Sequence, residues 1–235
     1  GVGSSVVNAL SSTLIATIQR DGFEWRQEYK RGNPQTDLEK IRPFRGSGSQ
    51  IFFRPDEQIF ETIEFDPELI IKRIEISAFL NKGLLITFKN EATNKKVSFQ
   101  YEGGVQDFLA KETKGHSLVI NEPFIFSKED HPRVDVALTW THNTNERIRS
   151  FVNGIPTQDG GTHEQGLKDA VLRSIRSYIS TNSISIPRGV KLSSEDIREG
   201  LLCICSCFIH EPQFQGQTKD KLNNPELRSQ IDSFL

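Results

Sequence analysis

Asp159-Gly160-Gly161-Thr162-His163-Glu164-Gln165-Gly166-Leu167, continuing to Ile179, is the stretch on which the fold class turns. The two glycines form a flexible approach, and Thr162 with Gln165 three residues later has the spacing of a helix-capping box. Leu167, Ala170, Val171, Ile175, Tyr178 and Ile179 then fall on one stripe at helical spacing. Such a helix needs a sheet to cover. Upstream, Val134, Val136, Leu138 and Trp140 alternate, residues 143–145 are a polar turn, and Ile148, Ser150 and Val152 return, so an antiparallel hairpin is expected. Asn153-Gly154-Ile155-Pro156 is read as leaving that strand. Downstream, a loop over 187–194 carries the cations Arg188 and Lys191, and residues 201–209 form an apolar strand. Strands and helices mixed along one segment are the pattern of an α/β class.

Further toward the N-terminus the same alternation repeats. Glu102-Gly103-Gly104 breaks the sheet pattern before a short helix over 105–110 and is the candidate domain junction. Ahead of it, Asp66 and Pro67 mark a helix start, Asn81-Lys82-Gly83 its stop, and Leu84, Ile86 and Phe88 a strand that returns over 97–101. Leu14, Ala16 and Ile18 alternate up to an Asp21-Gly22 turn, and Phe23, Trp25 and Tyr29 come back on one parity. Pro34 and Pro43 make 30–45 an irregular excursion or short edge strands, after which a strand spans 50–54 with Ser49 in the turn before it. Residues 5–11 are apolar enough for one or two helical turns.

With 235 residues, of which 35% are hydrophobic, the chain can fill one large or two modest cores. A net charge of -2 gives no global attraction to nucleic acid, though a local basic channel is compatible with it. No apolar run approaches the roughly 20 residues that cross a bilayer, so no membrane partner is expected. Cys203, Cys205 and Cys207 share one face of a strand and step about 7 Å per pair of residues, too far to converge on one zinc. They are expected as free thiols in a core, with no metal site. The five histidines lack metal-ligand spacing; His163, just after the cap, is a candidate hinge residue. Methionine is absent and residue 1 falls inside a motif, so the chain is expected to be a piece of a longer protein.

Two segments carry phosphate chemistry. Gly1-Val2-Gly3-Ser4-Ser5 lets backbone N–H groups at a helix start approach an anion. Lys219, in the polar loop 215–221, supplies a point charge for a terminal phosphate, with Gln217 donating beside it. Arg147, Arg149, Lys168, Arg173 and Arg176 are the candidate contacts to a DNA backbone; a solvated face is the commoner explanation of such cations.

Five blocks together resemble one family. Residues 1–11, Tyr101-Glu102-Gly103-Gly104, Ile155 through His163, Asp196-Ile197-Arg198-Glu199-Gly200 and Gln217 through Leu222 are similar, in order and spacing, to the B-type subunits of bacterial type IIA topoisomerases, gyrase and topoisomerase IV. The segment 187–193 leans toward topoisomerase IV. The resemblance implies that 1–101 is the C-terminal part of a GHKL (Bergerat-type) ATP-binding domain. It makes 102–235 a transducer domain of ribosomal-protein-like α/β fold with a left-handed crossover. It further implies ATP and magnesium as ligands, with the magnesium ligand, the general-base Glu and the adenine-binding Asp upstream of residue 1. Gly1, Val2 and Gly3 would hold phosphates, Ser49 would stand for a Thr on the adenine side, Arg20 would line the pocket mouth, and Lys219 with Gln217 would reach the γ-phosphate. The implied assembly is cytoplasmic: a homodimer of B-type subunits, a heterotetramer with an A-type subunit, and double-stranded DNA as substrate. Two other readings stand beside it. One is a nucleotide-independent interaction module; the other is a different ATPase of the same superfamily, a chaperone or mismatch-repair protein.

Overall fold

The computed structural model describes residues 2–187 and 189–235; Gly1 and Arg188 lie outside the described residues. The chain divides into two compact units, Gly1–Asp66 and Pro67–Leu235.

In the first unit a short helix α1 (Gly3–Ala9) precedes five strands: β1 (Ser11–Arg20), β2 (Phe23–Lys30), β3 (Asn33–Pro34), β4 (Glu39–Pro43) and β5 (Gly48–Pro55). They form one sheet in the order β3-β2-β1-β5, with β4 also on β2. Asp21 and Gly22 both take positive φ, 54° and 80°, which is what a two-residue turn matched to strand twist requires. The register sets Leu14 opposite both Tyr29 and Phe53, so these three share a face. Ser49 does not sit in the turn before the strand. It is inside β5, opposite Ile18, because the bend is made earlier at Gly46, whose φ of 120° suits only glycine.

The second unit contains α2 (Pro67–Leu80), the hairpin β6 (Ile86–Asn90) and β7 (Lys95–Phe99), and α3 (Val105–Glu112). It continues through β8 (Phe124–Lys128), β9 (Arg133–Trp140), β10 (Arg147–Val152), β11 (Ile155–Pro156), α4 (Thr162–Thr181), α5 (Ser194–Arg198), β12 (Leu201–Phe208) and α6 (Pro225–Phe234). The main sheet runs β11-β10-β12-β9-β8.

The expected β9–β10 hairpin is not formed. β12 lies between them, antiparallel to β9 and parallel to β10. Burial on both faces is the reason. Leu201, Cys203, Cys205 and Cys207 enter one core with Leu167, Val171 and Ile231, while Leu202 and Ile204 enter a second with Phe79 and Phe108. A strand apolar on both sides is stable only at the centre of a covered sheet. β10 takes β11 as its other neighbour through an Asn153-Gly154 turn with φ of 52° and 77°, so residues 155–156 stay in the sheet.

The candidate junction at 102–104 lies inside the second unit. Phe79 of α2 stacks on Tyr101 at 3.7 Å and on Phe108 of α3 at 4.8 Å, joining the two sides of those glycines in one core. At the start of α4 the expected capping box is also absent. Gly161 occupies the cap position with no side-chain hydrogen bond, and the Thr162 hydroxyl is buried inside the first turn without a partner among the described residues. The true box is at α5, where the Ser193 hydroxyl accepts from the Asp196 N–H at 3.1 Å and the Asp196 carboxylate accepts from the Ser193 N–H at 2.8 Å. Along α4, Leu167, Ala170 and Val171 are buried as the stripe requires, whereas Tyr178 is 63% exposed.

Candidate functional site

The lysine loop has firmly held feet and an exposed tip. The Gln215 N–H donates to the Lys221 carbonyl at 2.8 Å, and Asn223 N–H to the Gln213 carbonyl at 2.7 Å. Leu222 is fully buried and anchors the C-terminal foot. Its N–H donates to the Gly160 carbonyl at 3.1 Å, its carbonyl accepts from Thr162 N–H at 3.1 Å, and the Asp220 carbonyl accepts from Asp159 N–H at 2.9 Å. Gly161 makes this closeness possible: a Cβ there would collide with the Leu222 carbonyl oxygen. The Asp-Gly-Gly-Thr stretch is therefore a seat for the loop, a use that its reading as a flexible approach does not contain.

Lys219 sits at the tip in the left-handed region, φ 62°, with its amine 5.9 Å from the Phe214 ring centroid. It is exposed and has no ion pair among the described residues. Gln217, on the same tip, is exposed as well. The Lys219 charge has no carboxylate partner among the described residues, and its backbone conformation costs about 1 kcal/mol or more to hold.

Behind the seat runs a buried polar chain. His163 is completely buried, and its Nε2 lies 3.0 Å from the Thr157 hydroxyl. That hydroxyl is 2.7 Å from the Ser150 hydroxyl, which lies 3.2 Å from Glu164 Oε2. Glu164 pairs with Lys168 at 2.8 Å. Among the described residues His163 Nδ1 has no partner, and burial holds the imidazole pKa down to about 4, so the ring is neutral at physiological pH.

In the first unit α1 starts at Gly3, with Val2 at the cap position, no side-chain cap and no acidic residue in its first turn. A Cβ on Gly3 would meet nothing within 4 Å, so this end of the helix is open. Ser49 is exposed, and Arg20 is exposed beside Asp21 at 3.5 Å. Gly1 lies outside the described residues.

The five candidate DNA cations divide unevenly. Arg147 and Arg149 both pair with Glu112, at 3.0 and 2.6 Å, and Arg149 also lies 4.7 Å over the Phe108 ring. Arg149 is turned onto α3, whereas the Arg147 side chain is 57% exposed. Lys168 pairs with Glu164 and, at 3.5 Å, with Glu146; Arg173 pairs with Asp232 at 3.1 Å. Arg176 is exposed without an ion pair among the described residues.

The three cysteines are free, fully buried core residues, and burial pushes the Cys203 thiol well up. A hydrogen bond with Cys205, followed by burial, does the same to Cys207. Among the described residues no three His, Cys, Asp or Glu side chains converge on a metal position.

Comparison with known proteins identifies relatives of the chain. Residues 104–235 match the model of the family described as DNA gyrase B. The whole chain is 40% identical to the B-type subunit of DNA gyrase from Clostridium acetobutylicum and 41% identical to the B-type subunit of DNA topoisomerase 4 from Bacillus subtilis. It covers 37% and 36% of those proteins, so it spans about a third of the length of the curated relatives it matches. Its fold is similar to the 43K ATPase domain of Thermus thermophilus gyrase B, solved with an aminocoumarin, with a TM-score of 0.86 and 32% identity over 100% of this chain and 64% of that one.

Proposed function

The chain belongs to the DNA gyrase B family of type IIA topoisomerase subunits, and from that premise we propose that it carries the phosphate-sensing half of an ATP-driven gate. Lys219 supplies the positive charge for the terminal phosphate of ATP, with Gln217 as a second donor. The open start of α1, with Gly1, Val2 and Gly3, holds the other phosphates; Ser49 hydrogen-bonds on the adenine side and Arg20 stands at the pocket mouth. What supports the reading is one observation above all: a solvent-facing lysine in left-handed conformation, free of ion pairs among the described residues, on a loop pinned at both feet.

Those residues fit a polyphosphate, because an unpaired cation and an uncapped helix start are both anion-binding features. Magnesium, when bound with ATP, neutralises charge on the phosphate oxygens; its ligand is assigned to no residue of this chain. The chain's own contribution is to place the Lys219 amine where charge grows as the terminal phosphoryl group leaves. Movement of the loop with phosphate occupancy then couples hydrolysis to dimerisation of the B-type subunits and capture of a double-stranded DNA segment. The complete assembly is a cytoplasmic heterotetramer with an A-type subunit. Within it residues 1–101 serve nucleotide binding and 102–235 transduction, a functional division that crosses the shared core of α2 and α3. Of the candidate cations, Arg176 is the one whose charge no carboxylate among the described residues offsets, and it is the position assigned to the DNA backbone.

Lys219→Ala in the complete subunit tests the reading. ATP hydrolysis should fall about 100-fold, the scale of losing one preorganised electrostatic contact to a transition state, with the melting temperature little changed. Hydrolysis near the parent rate would refute the assigned role.

A further inference from the structure

We infer that His163 is a positioning residue for Lys219: through Thr157 it holds the 157–162 turn to which the C-terminal foot of the lysine loop is hydrogen-bonded. The inference rests on the phosphate role proposed above for Lys219.

The geometry fixes a direction along the buried chain. An unpaired buried N–H costs more than an unpaired lone pair, so the single imidazole proton belongs on Nε2, facing the Thr157 hydroxyl at 3.0 Å, and Nδ1 is left as the bare acceptor. Each hydroxyl has one proton to give. His163 donates to Thr157, Thr157 donates to Ser150 across 2.7 Å, and the Ser150 proton faces two acceptors at 3.2 Å, Glu164 Oε2 and the Thr157 carbonyl. Bonds in series strengthen one another in a low-dielectric interior, and Lys168 fixes the charge at the far end.

The other side of the same turn carries the lysine loop. The Thr157 carbonyl accepts from Gly160 N–H at 3.0 Å, and three backbone hydrogen bonds tie residues 159, 160 and 162 to residues 220 and 222. Asp220 is the neighbour of Lys219. Gly161 leaves no slack, since its Cα approaches Leu222 too closely for any side chain. A shift of Thr157 therefore passes to the lysine through covalent and hydrogen-bonded backbone. For a group that must meet a transferring phosphoryl, a displacement of about 1 Å costs on the order of 100-fold in rate. Packing alone does not explain the imidazole: a leucine would fill similar space and leave no orphaned Nδ1.

The test uses the complete subunit in three variants. His163→Leu fills the space without the hydrogen bond, Thr157→Val removes the hydroxyl at constant shape, and His163→Gln returns an N–H near the Nε2 position. The expected result is a roughly tenfold to 100-fold fall in kcat for ATP hydrolysis with the KM for ATP nearly unchanged in the first two, and substantial recovery in the third. Adding His163→Leu or Thr157→Val to Lys219→Ala should produce no further fall. Amide exchange at Asp159, Thr162 and Leu222 should accelerate in both disrupting variants, and nitrogen NMR should show the parent His163 protonated at Nε2. Should His163→Leu not fold, Thr157→Val carries the same readouts. Unchanged kcat and exchange in Thr157→Val, losses that multiply with Lys219→Ala, or a proton on Nδ1 would overturn the inference. Full hydrolysis by Lys219→Ala alone would instead refute the phosphate role, and the exchange rates would still decide whether His163 holds the loop.

Discussion

His163 shows how much a single residue can be asked to do once its surroundings are known. Its folded pKa of about 4 lies below the ordinary 6.5, and burial is the cause. Below pH 6.5 the unfolded chain takes up a proton that the folded chain refuses, so this contribution to stability is fully present above 6.5 and is lost as pH falls toward 4. About 2.5 pH units at about 1.4 kcal/mol each give a loss on the order of 3 kcal/mol. Denaturant unfolding of the parent from pH 7 to pH 4 should show that extra loss relative to His163→Leu; equal slopes would mean the imidazole is already charged in the fold. The sequence placed His163 beside a helix start but held no sign of its partners, because Thr157 and Ser150 meet it through tertiary contact. For Lys219, residue type and loop context belong to the sequence; its left-handed φ and its lack of an ion partner among the described residues are properties only the fold can display.

At the scale of elements, local signals decide the structure except where a distant partner competes. The Asp21-Gly22 hairpin and the long α4 formed as their patterns require. The β9–β10 pairing did not, because β12, about 50 residues downstream, is apolar on both faces and claims the position between them. Thr162 and Gln165 have the spacing of a capping box, yet the close approach of Leu222 to Gly161 moves the cap position back by one residue. Ser193 and Asp196 make the box instead. Ser193→Ala should therefore cost about 0.5–2 kcal/mol in denaturant unfolding, whereas Thr162→Val, which removes a buried hydroxyl that has no partner among the described residues, should be nearly neutral. Equal costs would mean that both termini are capped by side chains. The Ser193 N–H and hydroxyl hold the Asp196 carboxyl below its ordinary range, so the carboxylate half of the α5 box is intact at neutral pH and weakens as that group protonates in acid, while the bond from the Asp196 N–H to the Ser193 hydroxyl remains.

For the whole molecule, the family and the α/β class were legible because five sequence blocks keep their order and spacing over the full chain. The family match begins at residue 104, whereas the compact units divide after Asp66, and Phe79, Tyr101 and Phe108 stack across the glycines at 103 and 104. That shared core has a mechanical consequence. Under the proposed function, a movement of the lysine loop would pass through the sheet of the second unit to α2 and α3 without crossing a flexible linker at 102. Coupling of this kind requires Lys219 to meet the terminal phosphate, and a crystal structure of the complete dimer of B-type subunits with a non-hydrolysable ATP analogue measures that contact directly. The Lys219 amine is expected at about 2.7–3.0 Å from a γ-phosphate oxygen; an amine pointing to solvent, with another residue in that position, would contradict the assigned role.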